Sequence, residues 1–82
     1  SNLSVSCGTI VSDITYGTYP YRADIAVPGA KPKHLPLVVF GLEDAVSGNF
    51  APLAEAKEGA VSIFMKEIPS AETITVLALI LQ

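Results

Sequence analysis

Ala60–Leu81 reads AVSIFMKEIPSAETITVLALIL, and its second half decides the class of the fold. Thr73–Leu81 is a run of Thr, Ile, Val and Leu with one alanine, side chains that suit a pleated surface, and it carries no charge, glycine or proline. Nine strand residues rise roughly 30 Å. By period two, Ile74, Val76, Ala78 and Ile80 share one face, and Thr75, Leu77, Leu79 and Leu81 the other. From Val76 onward both faces are apolar. A strand with one wet face alternates, so this one is expected to be covered on both sides, the second cover being another chain. Upstream, Val61, Ile63 and Met65 face one way and Ser62, Phe64 and Lys66 the other. Pro69-Ser70-Ala71-Glu72 is a polar connector of hairpin length, so the stretch predicts a β-hairpin whose second strand is central.

Short strand signals also fill the rest of the chain. Leu3–Cys7 alternates, breaks at Gly8, and resumes in strand-like residues from Thr9 to Ile14, which predicts a bend or bulge at Gly8. Arg22–Val27 alternates with Ala23, Ile25 and Val27 on one face, and Pro28-Gly29 is a turn signal. Lys31–Pro36 has two prolines and no apolar period, hence an exposed loop. Leu37–Leu42 is a further strand with Val38, Phe40 and Leu42 on one side. Glu43–Asn49 is polar and turn-rich. Phe50–Glu58 has helix-favouring composition, but strands on both sides make a short strand the expectation and a helix the alternative, with Gly59 as a hairpin turn or helix cap. Five or six short strands, punctuated by Gly and Pro, predict an all-β fold: a small antiparallel β-sandwich, jelly-roll-like, in a single domain spanning residues 1–82.

Size then raises the question of stability. A chain of 82 residues buries only about 60% of the surface its unfolded form exposes. Domains this small lean on disulfides, metals or partners. Cys7 is the only cysteine and His34 the only histidine, so no internal disulfide is possible and no metal or other cofactor is expected. Oligomerisation remains, in keeping with a 50% hydrophobic composition and a mean hydropathy of +0.48. The expected interface is the Leu77, Leu79 and Leu81 face of the last strand, with Ile74, Val76 and Ile80 turned to the chain's own core. A net charge of −3 with scattered basic residues argues against nucleic acid, and no apolar run is long enough for a membrane helix. The chain opens on Ser1 rather than methionine, which reads as a fragment of a longer protein or a processed product.

Chemical motifs are sparse. No G-x-S-x-G elbow or phosphate-binding glycine loop is present, His34 lies between two prolines and reads as a surface histidine, and Cys7 reads as a small buried hydrophobe. Glu43-Asp44 reads as solvated charge. No catalytic residue is assigned, and the chain is not expected to be an enzyme. One stretch suits recognition: Tyr16-Gly-Thr-Tyr-Pro-Tyr21 gathers all three tyrosines, rigid apolar faces with hydrogen-bonding tips. Tyr16, Tyr19 and Tyr21 are therefore the candidate ligand-binding residues; the plainer alternative is that they pack over a sheet edge around Pro20.

From Tyr21 to Leu81 the order of features resembles a domain of tailed-bacteriophage fibre, neck-appendage and baseplate proteins. The resemblance is carried by ADIAVPG at 23–29, the apolar strand after it, GAVSIF at 59–64, a proline-containing turn, and ETITVLALIL at 72–81. Met65 departs from the polar, often aromatic residue of that pattern. The resemblance implies a β-sandwich in a virion, commonly a homotrimer, near the end that meets a host-surface glycan or protein receptor. It also implies that this stretch is the C-terminal part of a longer fibre protein. No binding residue carries over, since recognition loops diverge. The alternative is a secreted or cell-surface carbohydrate-binding module acting alone.

Overall fold

The computed structural model describes residues 3–52, 54–71 and 73–82. Among them are seven strands, β1 (Leu3–Ser6), β2 (Val11–Ser12), β3 (Tyr21–Ala26), β4 (Pro36–Phe40), β5 (Glu55–Lys57), β6 (Ala60–Met65) and β7 (Thr73–Leu81). One short helix, α1 (Leu42–Val46), follows β4. They form two antiparallel sheets, ordered β1-β7-β4 and β2-β3-β6-β5. The shared core draws Val5, Ile74 and Val76 from the first and Ala23, Ile25, Ile63 and Met65 from the second. Half-buried Val38, Phe40, Phe50 and Leu79 pack against it, with Phe40 and Phe50 stacked at 4.4 Å.

The chain is mostly β and β7 is central, as the sequence predicts, but β6 and β7 are not a hairpin. β6 pairs with β3 on one side and β5 on the other, so no edge is left for β7, which lies between β1 and β4 in the opposite sheet. The connector carrying Pro69 crosses between sheets instead of folding back. A polar tetrapeptide of hairpin length serves either route.

The strand covered on both faces is β6. Val61, Ile63 and Met65 point to the core, and Ser62 and Phe64 on the opposite face are buried as well. Ser62 donates to Asp24, which also meets Arg22 at 3.2 Å and Lys57 at 3.8 Å. β7 is covered less than its composition suggests, because its parity reverses midway. Phe40 pairs with Val76 but Val39 with Ala78, leaving Leu77 as the extra residue of a bulge. Beyond it Leu79 packs on the core and Ile80 is 48% exposed, the reverse of an unbroken alternation.

Three other segments narrow or overturn the expectation. Of the bend or bulge expected at Gly8 the chain takes the bend, a 3-10 turn at Cys7–Thr9 capped by the Ser6 hydroxyl, which carries it from β1 to β2 in the other sheet rather than along one strand. Glu43–Val46 is helical within α1, its Glu43 and Asp44 placed in the first turn where the helix dipole favours carboxylates. Leu42, expected on the core side of a strand, is in that helix and 77% exposed. Within Phe50–Glu58 the short strand expected in preference to a helix is present but confined to Glu55–Lys57 among the described residues, and Phe50 forms a single bridge to Met65; Leu53 lies outside them.

β5 and β6 do form a hairpin, through Glu58 and Gly59. Gly59 has φ +77° and nothing within 4 Å of where a Cβ would stand. Substituting alanine there therefore meets no clash, only the left-handed backbone penalty. Gly59→Ala is expected to lower stability by about 1 kcal/mol in urea denaturation without changing assembly. Gly29→Ala, also at positive φ and in open space (φ +92°), serves as the comparison.

Candidate functional site

Between Asp13 and Arg22 the chain folds into a closed loop, and Asp13 fixes it. Its carboxylate accepts from the Thr15 hydroxyl and, at 2.9 Å, the Thr15 backbone N–H, a side-chain turn of the kind aspartate favours. Its other oxygen accepts from Arg22 at 2.6 Å, and its own N–H donates to the Pro20 carbonyl at 2.9 Å. Within the loop Tyr19 N–H donates to the Tyr16 carbonyl at 2.8 Å.

The Thr15 hydroxyl, then the Thr15 N–H and Arg22, hold the Asp13 carboxyl down at about 2. Because the folded state holds this proton less tightly than an ordinary aspartate, the unfolded chain binds it first on acidification. The stabilisation is complete above about pH 4 and is lost as pH falls through 2. Urea midpoints are expected to drop between pH 4 and pH 2 in the native protein, and to drop less in Asp13→Asn.

This anchored loop lies over the outer face of β6. The Tyr16 ring meets Phe64 edge to face, centroids 4.9 Å apart and planes 81° apart, which explains why Phe64 is buried on a face the alternation turns outward. Tyr16 itself remains 47% exposed, and its hydroxyl lies 3.4 Å from a Glu55 carboxylate oxygen on β5. Opposite, the Lys31–His34 turn closes by His34 N–H donating to the Lys31 carbonyl and Lys31 N–H to His34 Nδ1, both at 3.0 Å. Since Nδ1 accepts, the proton of the neutral ring is on Nε2.

Together these elements enclose a cleft of about 580 Å³, within the range of small-molecule sites. Tyr16, Tyr19, Pro32, His34, Pro52, Glu55 and Phe64 are among the residues lining it. Of the three candidate tyrosines, two line the cleft. Tyr21 does not: it opens β3 opposite Met65 and packs against the core. Tyr19 is half-buried, with Lys66 Nζ 5.8 Å from its ring centroid. The loop is thus divided: Tyr21 packs on the core, Tyr16 and Tyr19 line the cleft, and Tyr16 also packs on Phe64. His34, expected at the surface, is half-buried and lines the cleft beside Pro36. Glu55 and Phe64 carry no sign of this role in the sequence, because stretches far apart in the chain, 16–19, 32–36, 51–52 with 54–56, and Phe64, bring the walls together.

The proposed leucine face is divided by the bulge. Leu77 is 43% exposed, whereas Leu79 packs on the chain's own core and Leu81 is half-buried opposite Pro36. The apolar residues that do share the outer face are Leu37 and Ile80, directly paired, and Val39, paired with Ala78; Leu77 adjoins them. Each is between 43% and 48% exposed. Cys7 is half-buried near Asp44, away from the cleft; burial first, then the Asp44 charge, pushes its thiol up and keeps it protonated. Among the described residues no group of three possible metal ligands converges and no helix is long and apolar enough to cross a membrane. No family model, curated protein or solved structure matches this chain.

Proposed function

We propose that this chain is a non-enzymatic structural domain of a phage tail fibre, neck appendage or baseplate protein. In this reading it is a jelly-roll-like sandwich that assembles with copies of itself and turns its loops toward a host receptor. One observation carries the reading: Leu37, Val39, Leu77 and Ile80 lie half exposed together on the outer face of the β1-β7-β4 sheet. An apolar patch on a small domain marks a surface that is covered in use. Each of these side chains gains roughly 1.5–3 kcal/mol on full burial, so covering them supplies stability that a core of this size lacks. Association follows from that face; the number three and the virion setting come from the resemblance of residues 21–81.

Antibody raised against the chain provides the test. Immunogold electron microscopy of phage particles that encode it is expected to place label on tails or appendages. Label confined to bacterial surfaces or to the secreted fraction contradicts the virion reading and favours the alternative, a stand-alone carbohydrate-binding module. That alternative draws on the aromatic cleft rather than the apolar face, and it predicts a monomer.

A further inference from the structure

The cleft combines an aromatic corner with an unmatched negative charge. The exposed Tyr16 ring stands nearly perpendicular to the buried Phe64, giving one open ring wall backed by a second, and the Glu55 carboxylate lies beside the Tyr16 hydroxyl. Among the described residues Glu55 has no cationic partner, and no Lys or Arg lines the cleft. The nearby cations are engaged elsewhere. Lys31 pairs with Glu58 at 3.0 Å, Lys57 approaches Asp24, and Lys66 lies over Tyr19. The remaining walls, including Pro32, Pro36 and Pro52, are mostly apolar, with Thr18, Tyr19 and His34 as their hydrogen-bonding side chains.

That inventory selects among ligands. A bare ammonium brings three donors and a guanidinium five, more than one carboxylate and a few hydroxyls in an apolar cleft accept. A neutral sugar leaves the Glu55 charge unmatched. An alkylated ammonium needs no hydrogen bonds, prefers aromatic faces through their quadrupole, and is attracted to a carboxylate. We propose that the cleft between the Tyr16–Tyr19 loop, His34 and Glu55 binds a quaternary ammonium group, with Tyr16, backed by Phe64, as its aromatic wall and Glu55 as its counter-ion. His34, whose Nδ1 accepts from the Lys31 N–H, keeps Nε2–H as a donor for a hydroxyl or ester oxygen two or three atoms from the cation, as in a choline-type ligand. This inference does not depend on self-association, which buries a different face.

Amide chemical shifts under titration test it directly. Choline chloride is expected to shift the amides of residues 16–19, 34 and 54–56, saturably and at millimolar concentration or below. The uncharged isostere 3,3-dimethylbutan-1-ol is expected to bind about two- to fivefold more weakly, the order that a cation–π contact at a half-exposed ring contributes. Glu55→Gln, at an exposed edge-strand position and so compatible with folding, loses a similar factor for choline alone. Lys66→Gln, removing a neighbouring positive charge, strengthens choline binding. Pelleting with phosphatidylcholine vesicles identifies the source: co-sedimentation assigns a surface-borne headgroup, and none, with choline still bound, assigns a free ion. Equal affinity for choline and its isostere, no effect of Glu55→Gln, or saturable binding of methyl glucoside without choline binding overturns the proposal.

Discussion

Ile74→Ala is expected to lower stability by about 2–5 kcal/mol, a large share of what a domain of this size possesses. Ile74 is fully buried, on the central strand of its sheet, beside Val5 across from β1. Deleting its side chain removes transfer free energy and leaves a cavity between two sheets that cannot collapse around it. Ile80→Ala, the same substitution six residues along the same strand, is expected to cost less than about 1 kcal/mol in the dissociated chain, because Ile80 is 48% exposed. Urea denaturation of both variants at low protein concentration measures the contrast. Equal losses contradict the parity reversal at Leu77.

Charge on the outer face is expected to act on assembly rather than on folding. Leu77→Glu and Ile80→Glu each place a carboxylate within the apolar patch. Burying an unpaired charge against a neighbouring copy is far more costly than leaving it in water. Both variants are expected to run as folded monomers with native circular dichroism. Thr73→Glu, at the exposed start of β7, leaves assembly unchanged. Leu79→Glu behaves differently from either, since Leu79 packs on the chain's own core; it is expected to unfold the protein. Dissociation into folded monomers by Leu79→Glu would place that residue at the interface after all.

The β class and the central place of β7 are legible in residues 73–81 because nine strand-forming residues without a charge have few other uses. Ala23 and Ile25 follow the pattern they announce, since β3 alternates cleanly between core and outer face. The bulge is not legible. Nothing about Val76-Leu77-Ala78 distinguishes an even pleat from one with an extra residue, and a single slip exchanges every side chain beyond it. Hence Leu79 and Ile80 trade places relative to expectation. The pairing of β6 is equally hidden, because Ser62 looks like a wet position yet is buried and bonded to Asp24, 38 residues away in sequence. The tyrosine loop announces itself by composition. Its partners do not: Glu55 lies in an ambiguous segment, and His34 between prolines resembles any surface histidine.

On the proposed reading, the outer face of the β1-β7-β4 sheet is covered by other copies of the chain. Light scattering coupled to size exclusion at micromolar concentration measures it most directly. A homotrimer of three 8.6 kDa chains, about 26 kDa, is the expected mass, collapsing to a single chain in Ile80→Glu. A stable 8.6 kDa monomer in the native protein would contradict the account, leaving Leu37, Val39, Leu77 and Ile80 in water with nothing to cover them.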